Sequence, residues 1–465
     1  MRRLLALSLV VLLAASQVQP ANAENGDLKL PPYKKVKLKN GMTLLLMQQH
    51  EVPIISFNFL LRAGSIADPA GKEGLASLVA GLLRKGTKTR SADQLSTELD
   101  FIGGLLGASA TYDYTGGFAE FVKKDIGKGL ELMSDVLLNP TFPEDEVTKL
   151  VKQRIDGIKS AKDQAQAVIG TYFSSYLYGS HPYARPTGGD ERSLAAITRD
   201  DVVKFYQAHY TPSSMILAVA GDFSAADMER QLTTVFDGWA AKPAPEIKLP
   251  EVEAFKGKKL LLIDKPDSTQ TFFNIGNVGI TRTNPDRVYI DVVNTLFGGR
   301  FTSMLNSALR INSGLTYGAR SSFVERKVRG PFLISTYTSN KTTEQAIDMA
   351  LDILKQLHEK GITEEDLKSA KTYIKGVFPT SIETSDQLAS IIAQLEFYGL
   401  DEKEINGYYA RIDSMTMADT QRVIKQYFPL ENLVFVLIGK SSEIEPIAKK
   451  YAPKLDTKNI SQPGF

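Results

Sequence analysis

At 465 residues, with 43% hydrophobic and 23% charged side chains, the chain has an ordinary globular composition and room for two or three cores. Lysine and arginine number 55 against 53 acids, so no basic excess argues for nucleic acid or an anionic membrane surface. There is no cysteine, which excludes disulfides, thiolate metal ligands and a thiol nucleophile.

Residues 1–23 stand apart. Arg2 and Arg3 precede an apolar run over 4–15, and Ala21-Asn22-Ala23 has the small-x-small form of a signal-peptidase site. This reads as a cleaved secretory signal, with Glu24 the first mature residue. The run is too short to span a membrane comfortably. Taking its two arginines from the 55 bases leaves 53 against 53 acids, and the expected location is soluble and periplasmic, without a lipid anchor.

Residues 36–47 alternate as a strand broken by Asn40-Gly41, a hairpin signal, and 54–62 form a second, β-branched and aromatic strand. Leu75, Leu78, Val79, Leu82 and Leu83 then recur at helical spacing and predict a helix buried along that stripe. Ser77, Ala80 and Gly81 share a second face of this helix. All three are small, which would let a neighbouring element approach closely. Ser91 offers an N-cap for a helix through Leu99, and Gly103-Gly104 ends it. Paired strands follow over 106–115 and 117–122. The stretch Gly107, Ala108, Ser109, Ala110 is either an ordinary edge or one able to accept an extended peptide through its backbone groups. Helices are predicted over 125–138, 143–160, 164–177 and 198–209, and a buried strand over 215–220.

Residues 238–258, with Pro243, Pro245 and Pro250, read as a linker between domains at 27–237 and 259–455. Beyond it the chain begins again. Ile197, Tyr210 and Met215 return as Met415, Tyr427 and Leu433, at offsets of 218, 217 and 218, and 55–59 has a counterpart in 271–275. A period that long means two homologous domains rather than a solenoid. Each mixes runs of strands with runs of helices, which predicts α+β layers with helices on a largely antiparallel sheet. In the second half, Gly298-Gly299-Arg300-Phe301-Thr302-Ser303 opens a helix through Leu309-Arg310, and a strand is expected over 315–323. The glycine turn lacks the lysine spacing of a phosphate loop. The four histidines, His50, His181, His209 and His358, have no second ligand at metal spacing.

Several of these stretches resemble the insulinase/pitrilysin-like metallopeptidases, the inverted zincins of M16 type. The likeness rests on Gly74-Leu75-Ala76 with Leu83, Lys85-Gly86-Thr87, on Arg62-Ala63-Gly64-Ser65, on Gly103-Gly104 with Ala108, on 181–186 with Gly188, and on His209-Tyr210-Thr211-Pro212. It covers nearly the whole mature chain and implies two half-shells around a peptide chamber. That family carries H-x-x-E-H where this chain has Ser77-Leu78-Val79-Ala80-Gly81. Its third ligand, a glutamate, falls in register with 154–158, where Asp156 is the only acid, and its edge strand often has Asn where Gly107 stands. The resemblance therefore implies that this chain binds no metal, and that zinc belongs to a homologous partner subunit bearing H-x-x-E-H. Gly298 and Gly299 match the family's glycine-rich turn. Arg310 and Tyr317 match its Arg-x₆-Tyr pair, which hydrogen-bonds the scissile peptide and helps stabilise the oxyanion. The expected function is the zinc-free, substrate-binding subunit of a periplasmic two-chain metallopeptidase. The alternative is a non-catalytic peptide-binding or scaffold protein.

Overall fold

The computed structural model describes residues 28–465, and the signal-peptide reading lies outside the described residues. Strands β1 (Tyr33–Lys37), β2 (Thr43–Gln48), β3 (Ile54–Leu61), β4 (Leu105–Ala110), β5 (Thr115–Val122) and β6 (Met215–Gly221) form one sheet in the order β1-β2-β6-β3-β5-β4. The second sheet is built from β7 (Lys259–Asp264), β8 (Gln270–Val278), β9 (Arg320–Phe323), β10 (Pro331–Ser339), β11 (Val434–Gly439) and β12 (Lys454–Asn459), in the order β12-β7-β11-β8-β10-β9. The two orders match place for place, so the sequence repeat is a repeat of topology. One difference separates them. β1 comes from the start of the chain and runs antiparallel to β2, whereas β12 comes from its end and runs parallel to β7.

The helices that position the site are α1 (Leu75–Leu82), α2 (Glu144–Lys162), α3 (Ala165–Tyr178), α4 (Thr343–Lys360) and α5 (Ser385–Tyr398). Every residue of β6 and β11 is buried, the signature of a strand covered on both faces. On one face of the first sheet Leu44, Leu46, Phe57 and Val219 share a core with Leu78, Val79 and Leu82 of α1. The other face, with Leu45, Leu60, Ile216 and Ala218, is closed by Leu388, Ala389 and Ile392 of α5, from the second half. The second sheet answers in kind: Leu260, Leu262, Phe435 and Leu437 pack with Ala346, Ile347 and Leu354 of α4. Its far face, with Ile263, Val434, Val436 and Ile438, meets Val168, Tyr172 and Phe173 of α3, from the first half. Each half thus lends a helix to the other. Each buried Leu, Ile or Phe in these layers contributes about 1.5–3 kcal/mol, so neither half can shed the exchanged helix cheaply.

Three boundaries differ from the sequence reading. The strand expected over 106–115 ends at Ala110, because a turn closes from Thr111 N to Tyr114 O (2.8 Å). Its tip reaches the second half. Tyr183 Oη and Lys327 N donate to the two Asp113 carboxylate oxygens, the latter over 2.9 Å, and the Arg326 guanidinium lies 3.8 Å from the centre of the Tyr112 ring. The helix expected over 303–310 is one α turn, Met304–Asn306, running into a wider π turn, Ser307–Asn312. The strand expected from 315 begins only at Arg320, which leaves Tyr317 in a loop.

Candidate functional site

A neighbouring helix covers the small face of α1. The helix starts at Gly74, whose φ of 94° and contact with Gly188 leave no room for a side chain. Asp68 closes its first turn, accepting from Gly74 N and Ala76 N at 2.8 Å each, and burial pushes this carboxyl up to about 7. What approaches Ser77 and Gly81 is a side chain of α2. Arg154 Nη1 donates to Ser77 Oγ (2.9 Å) and Nη2 to Ser77 O (3.1 Å). A Cβ at Gly81 would stand 3.0 Å from Arg154 Nη2 and 3.2 Å from Leu150 Cδ2, while Ala80 is buried. A hydroxyl, a methyl and a hydrogen with a guanidinium set among them do not fit a dication. Asp156 is exposed, two residues on from Arg154 and so round the helix.

Among the described residues no group of three or more His, Cys, Asp or Glu side chains stands together as a metal site. The histidines are dispersed: His50 Nδ1 meets Asp222 (2.6 Å), His181 Nε2 meets Pro250 O (3.1 Å), and His358 Nε2 meets Phe428 O (2.6 Å). His209 is lodged against Phe205, ring centres 4.5 Å apart, and burial lowers its basicity.

Gly107, Ala108, Ser109 and Ala110 lie on β4, the last strand of its sheet. Gly107 is opposite Phe118, whose ring would come within 2.8 Å of a Cβ there, so the missing side chain makes room for that aromatic cover. Arg84 Nη1 donates to Leu106 O (2.6 Å), which ties the start of this edge to the segment just after α1. Ser109 is exposed.

A cleft of about 760 Å³ opens on the second sheet, and Gly298, Gly299, Arg310 and Tyr317 all line it. None of Ser77, Ala80, Gly81 or 107–110 does. The structure therefore gathers the second-half candidates in one place and keeps the first-half ones apart from them. The glycine turn is part of a π-helical segment, Thr295–Gly299. A Cβ at Gly298 would meet Ser321 N at 2.3 Å, so this glycine is what lets the turn lie against β9. Arg310 is held between two rings, its guanidinium carbon 4.1 Å from the centre of Tyr317 and 4.8 Å from that of Phe301. Those rings are 73% and 60% exposed. The Arg310 guanidinium and the Tyr317 hydroxyl take no hydrogen-bonding partner among the described residues, so their donors face the cleft.

Buried polar groups missed by the sequence reading hold this pair in place. Asn306 donates to Phe301 O (2.6 Å) and accepts from Ala319 N (3.2 Å), so one amide spans the turn bearing Phe301 and the loop bearing Tyr317. Thr336 Oγ1 donates to Gly318 O (2.9 Å) and Thr338 Oγ1 to Leu315 O (2.7 Å), fixing the loop on both sides of Tyr317. A signal was present, since buried threonines at every second position of a strand need acceptors from elsewhere. Arg154 also had one: it interrupts the apolar stripe Val147, Leu150, Val151, Ile155, Ile158 on α2.

Two family models match the chain: insulinase (peptidase family M16) over residues 44–191 and the peptidase M16 inactive domain over residues 196–374. The chain belongs to the M16 peptidase family. An uncharacterized zinc protease of Rickettsia felis is 26% identical over 434 residues, 92% of this chain and 97% of its own length. The uncharacterized zinc protease YmxG of Bacillus subtilis is 24% identical over 413 residues, 88% and 99% of the two chains. The crystal structure of a peptidase M16 inactive domain from Pseudomonas fluorescens superposes with a TM-score of 0.83 at 24% identity, covering 88% of this chain and 98% of that one. A protease from Helicobacter pylori gives 0.83 at 23%, covering 88% and 100%. These structures establish the two-domain α+β M16 fold. Within it, the M16 inactive domain model spans both Arg310 and Tyr317, and the insulinase model spans the helix that Arg154 fills.

Proposed function

We propose that this M16 chain is the zinc-free, substrate-binding subunit of a two-chain periplasmic metallopeptidase. A homologous partner carrying H-x-x-E-H supplies the metal and the water-activating base. This chain supplies Arg310 and Tyr317 and a share of the chamber that holds an unfolded peptide. The observation that carries the reading is the contrast between the two halves. A guanidinium occupies the small face of α1, whereas the Arg310–Tyr317 pair keeps its donors open to a cleft and is fixed there by Asn306, Thr336 and Thr338. A fixed cation and a phenol, held before reaction starts, can donate to a carbonyl oxygen as negative charge builds on it. Their aromatic packing keeps reorganisation small.

The test is turnover of a quenched peptide by the reconstituted pair, with assembly followed by size-exclusion chromatography. Tyr317→Phe removes one hydroxyl and Arg310→Ala removes the cation, and each is expected to lower kcat by ~10²–10³-fold with assembly intact. Unchanged turnover in both variants would overturn the catalytic role and leave a peptide-binding scaffold as the better reading.

A further inference from the structure

We infer that the cleft beside Arg310 and Tyr317 selects peptide segments in which carboxylate side chains flank an aromatic or aliphatic residue. This deepens the proposed function and rests on it. The cleft is lined by three arginines, Arg300, Arg310 and Arg320, and by no aspartate or glutamate. None of the three forms an ion pair with another described residue. Their positions come from separate elements: Arg300 ends the glycine turn, Arg310 lies on the π turn after it, and Arg320 opens β9. Arg300 is steadied by Ser369, to which its Nη1 donates over 2.9 Å, and by the Tyr373 ring at 5.9 Å.

The register of the sheet aims the third cation. Arg320 pairs with Ser335, which pairs with Asn274, so the three form a row across β9, β10 and β8 that all line the cleft. Next to that row the floor is aromatic. Phe272 and Tyr337 stack with ring centres 5.0 Å apart and planes 22° from parallel. Unpaired guanidiniums in a concave, partly apolar wall focus positive potential, and their planar forks match carboxylates with two hydrogen bonds. A lysine-bearing segment would meet like charges with no acid to offset them. The mature chain is near neutral as a whole, so this preference is local to the cleft.

The experiment uses the full mature chain and three capped, unstructured peptides that differ only at two positions flanking a phenylalanine, filled by glutamate, glutamine or lysine. Isothermal calorimetry at low salt is expected to show the glutamate peptide binding at least ~10-fold tighter than the glutamine peptide, with lysine weakest. Raising salt from ~0.05 M to ~0.5 M should shrink the gap. Arg320→Gln should narrow it too, and Arg320→Glu should turn the order toward lysine, with the melting temperature of each variant unchanged. Equal affinity for the glutamate and glutamine peptides overturns the inference, as does an order that neither Arg320 variant alters. Charge-blind binding would leave the proposed function standing. Failure of every peptide to bind would remove the substrate-binding reading itself.

Discussion

Arg154 and Ser77 stand 77 residues apart in the chain and are joined by a guanidinium-to-hydroxyl hydrogen bond of 2.9 Å across α2 and α1. With Nη2 on Ser77 O and against Gly81, one cation bridges the two helices through the small face of α1. Burial lowers the Arg154 pKa, yet a guanidinium remains protonated at any physiological pH. The small face of α1 thus serves as a helix tether. Restoring the missing side chains one by one would set them against that cation.

Ser77→His, Ala80→Glu and Gly81→His together should retain no stoichiometric zinc, because Arg154 stays between the new ligands and repels a dication. Adding Arg154→Glu removes the charge and supplies a carboxylate at the same place. The fourfold variant should then hold zinc, as read by metal analysis after gel filtration. Tight zinc in the threefold variant would show that the guanidinium is no obstacle.

Reciprocal exchange of α3 and α5 predicts that the halves unfold as one. Ile392 of α5 is fully buried on the first sheet, and Ile392→Ala should cost about 2–5 kcal/mol. The only tryptophan, Trp239, lies against Phe236 of the first half and reports on it by fluorescence. Trp fluorescence and far-ultraviolet circular dichroism should shift together in the variant. Two separated transitions would mean that the exchange does not couple the halves.

The contribution of Glu325 to stability should fall as pH rises towards neutrality. Glu325 faces Arg282 (3.4 Å) and Arg287 (3.7 Å), but must share them with Asp291 and Glu404, while Arg411 serves only Glu404. Burial raises the Glu325 carboxyl from 4.5 to about 7. The unfolded chain therefore releases this proton first. The group's contribution is complete below about pH 4.5 and is lost as pH climbs to about 7. Glu325→Gln should flatten that part of the melting-temperature profile and raise the melting temperature at pH 8, with little change at pH 4. A profile identical to the parent's would place the proton elsewhere.

Thr336 is expected to act through Tyr317 rather than on substrate. Thr336→Val removes the hydroxyl that holds Gly318 O and Thr316, so the loop bearing the phenol can drift. A misplacement of about 1 Å can cost up to ~10²-fold in rate. Turnover by the reconstituted pair should fall in kcat with KM nearly constant, and Thr336→Ser should recover it. Loss of activity in the serine variant as well would point to packing of the methyl group instead.

How much of this was legible beforehand differs element by element. Alternation about Asn40-Gly41 placed β1 and β2, a β-branched and aromatic run placed β3, and the spacing of Leu75, Leu78, Val79 and Leu82 placed α1 by the one face it buries. The strand expected from residue 315 failed because Leu315 and Thr316 are apolar and β-branched, yet they spend their backbone groups on a loop held by Thr336 and Thr338. The π turn at 307–312 was equally hidden, because α and π windings present nearly the same short-range pattern.

The amino-acid sequence by itself determined that two homologous α+β halves follow one another, that Ser77, Ala80 and Gly81 offer neither imidazole nor carboxylate to a zinc ion, and that Arg310 and Tyr317 stand seven residues apart in the second half. Those are properties of residue type, spacing and period, all carried within one stretch of chain. Only the tertiary structure decided that Arg154 fills the small face of α1, that α3 and α5 trade sheets, and that three arginines converge on one cleft. The reason is physical. A periodic pattern states that a face is buried, or that a charge stands alone, but the partner comes from chain tens to hundreds of residues away and is selected by packing.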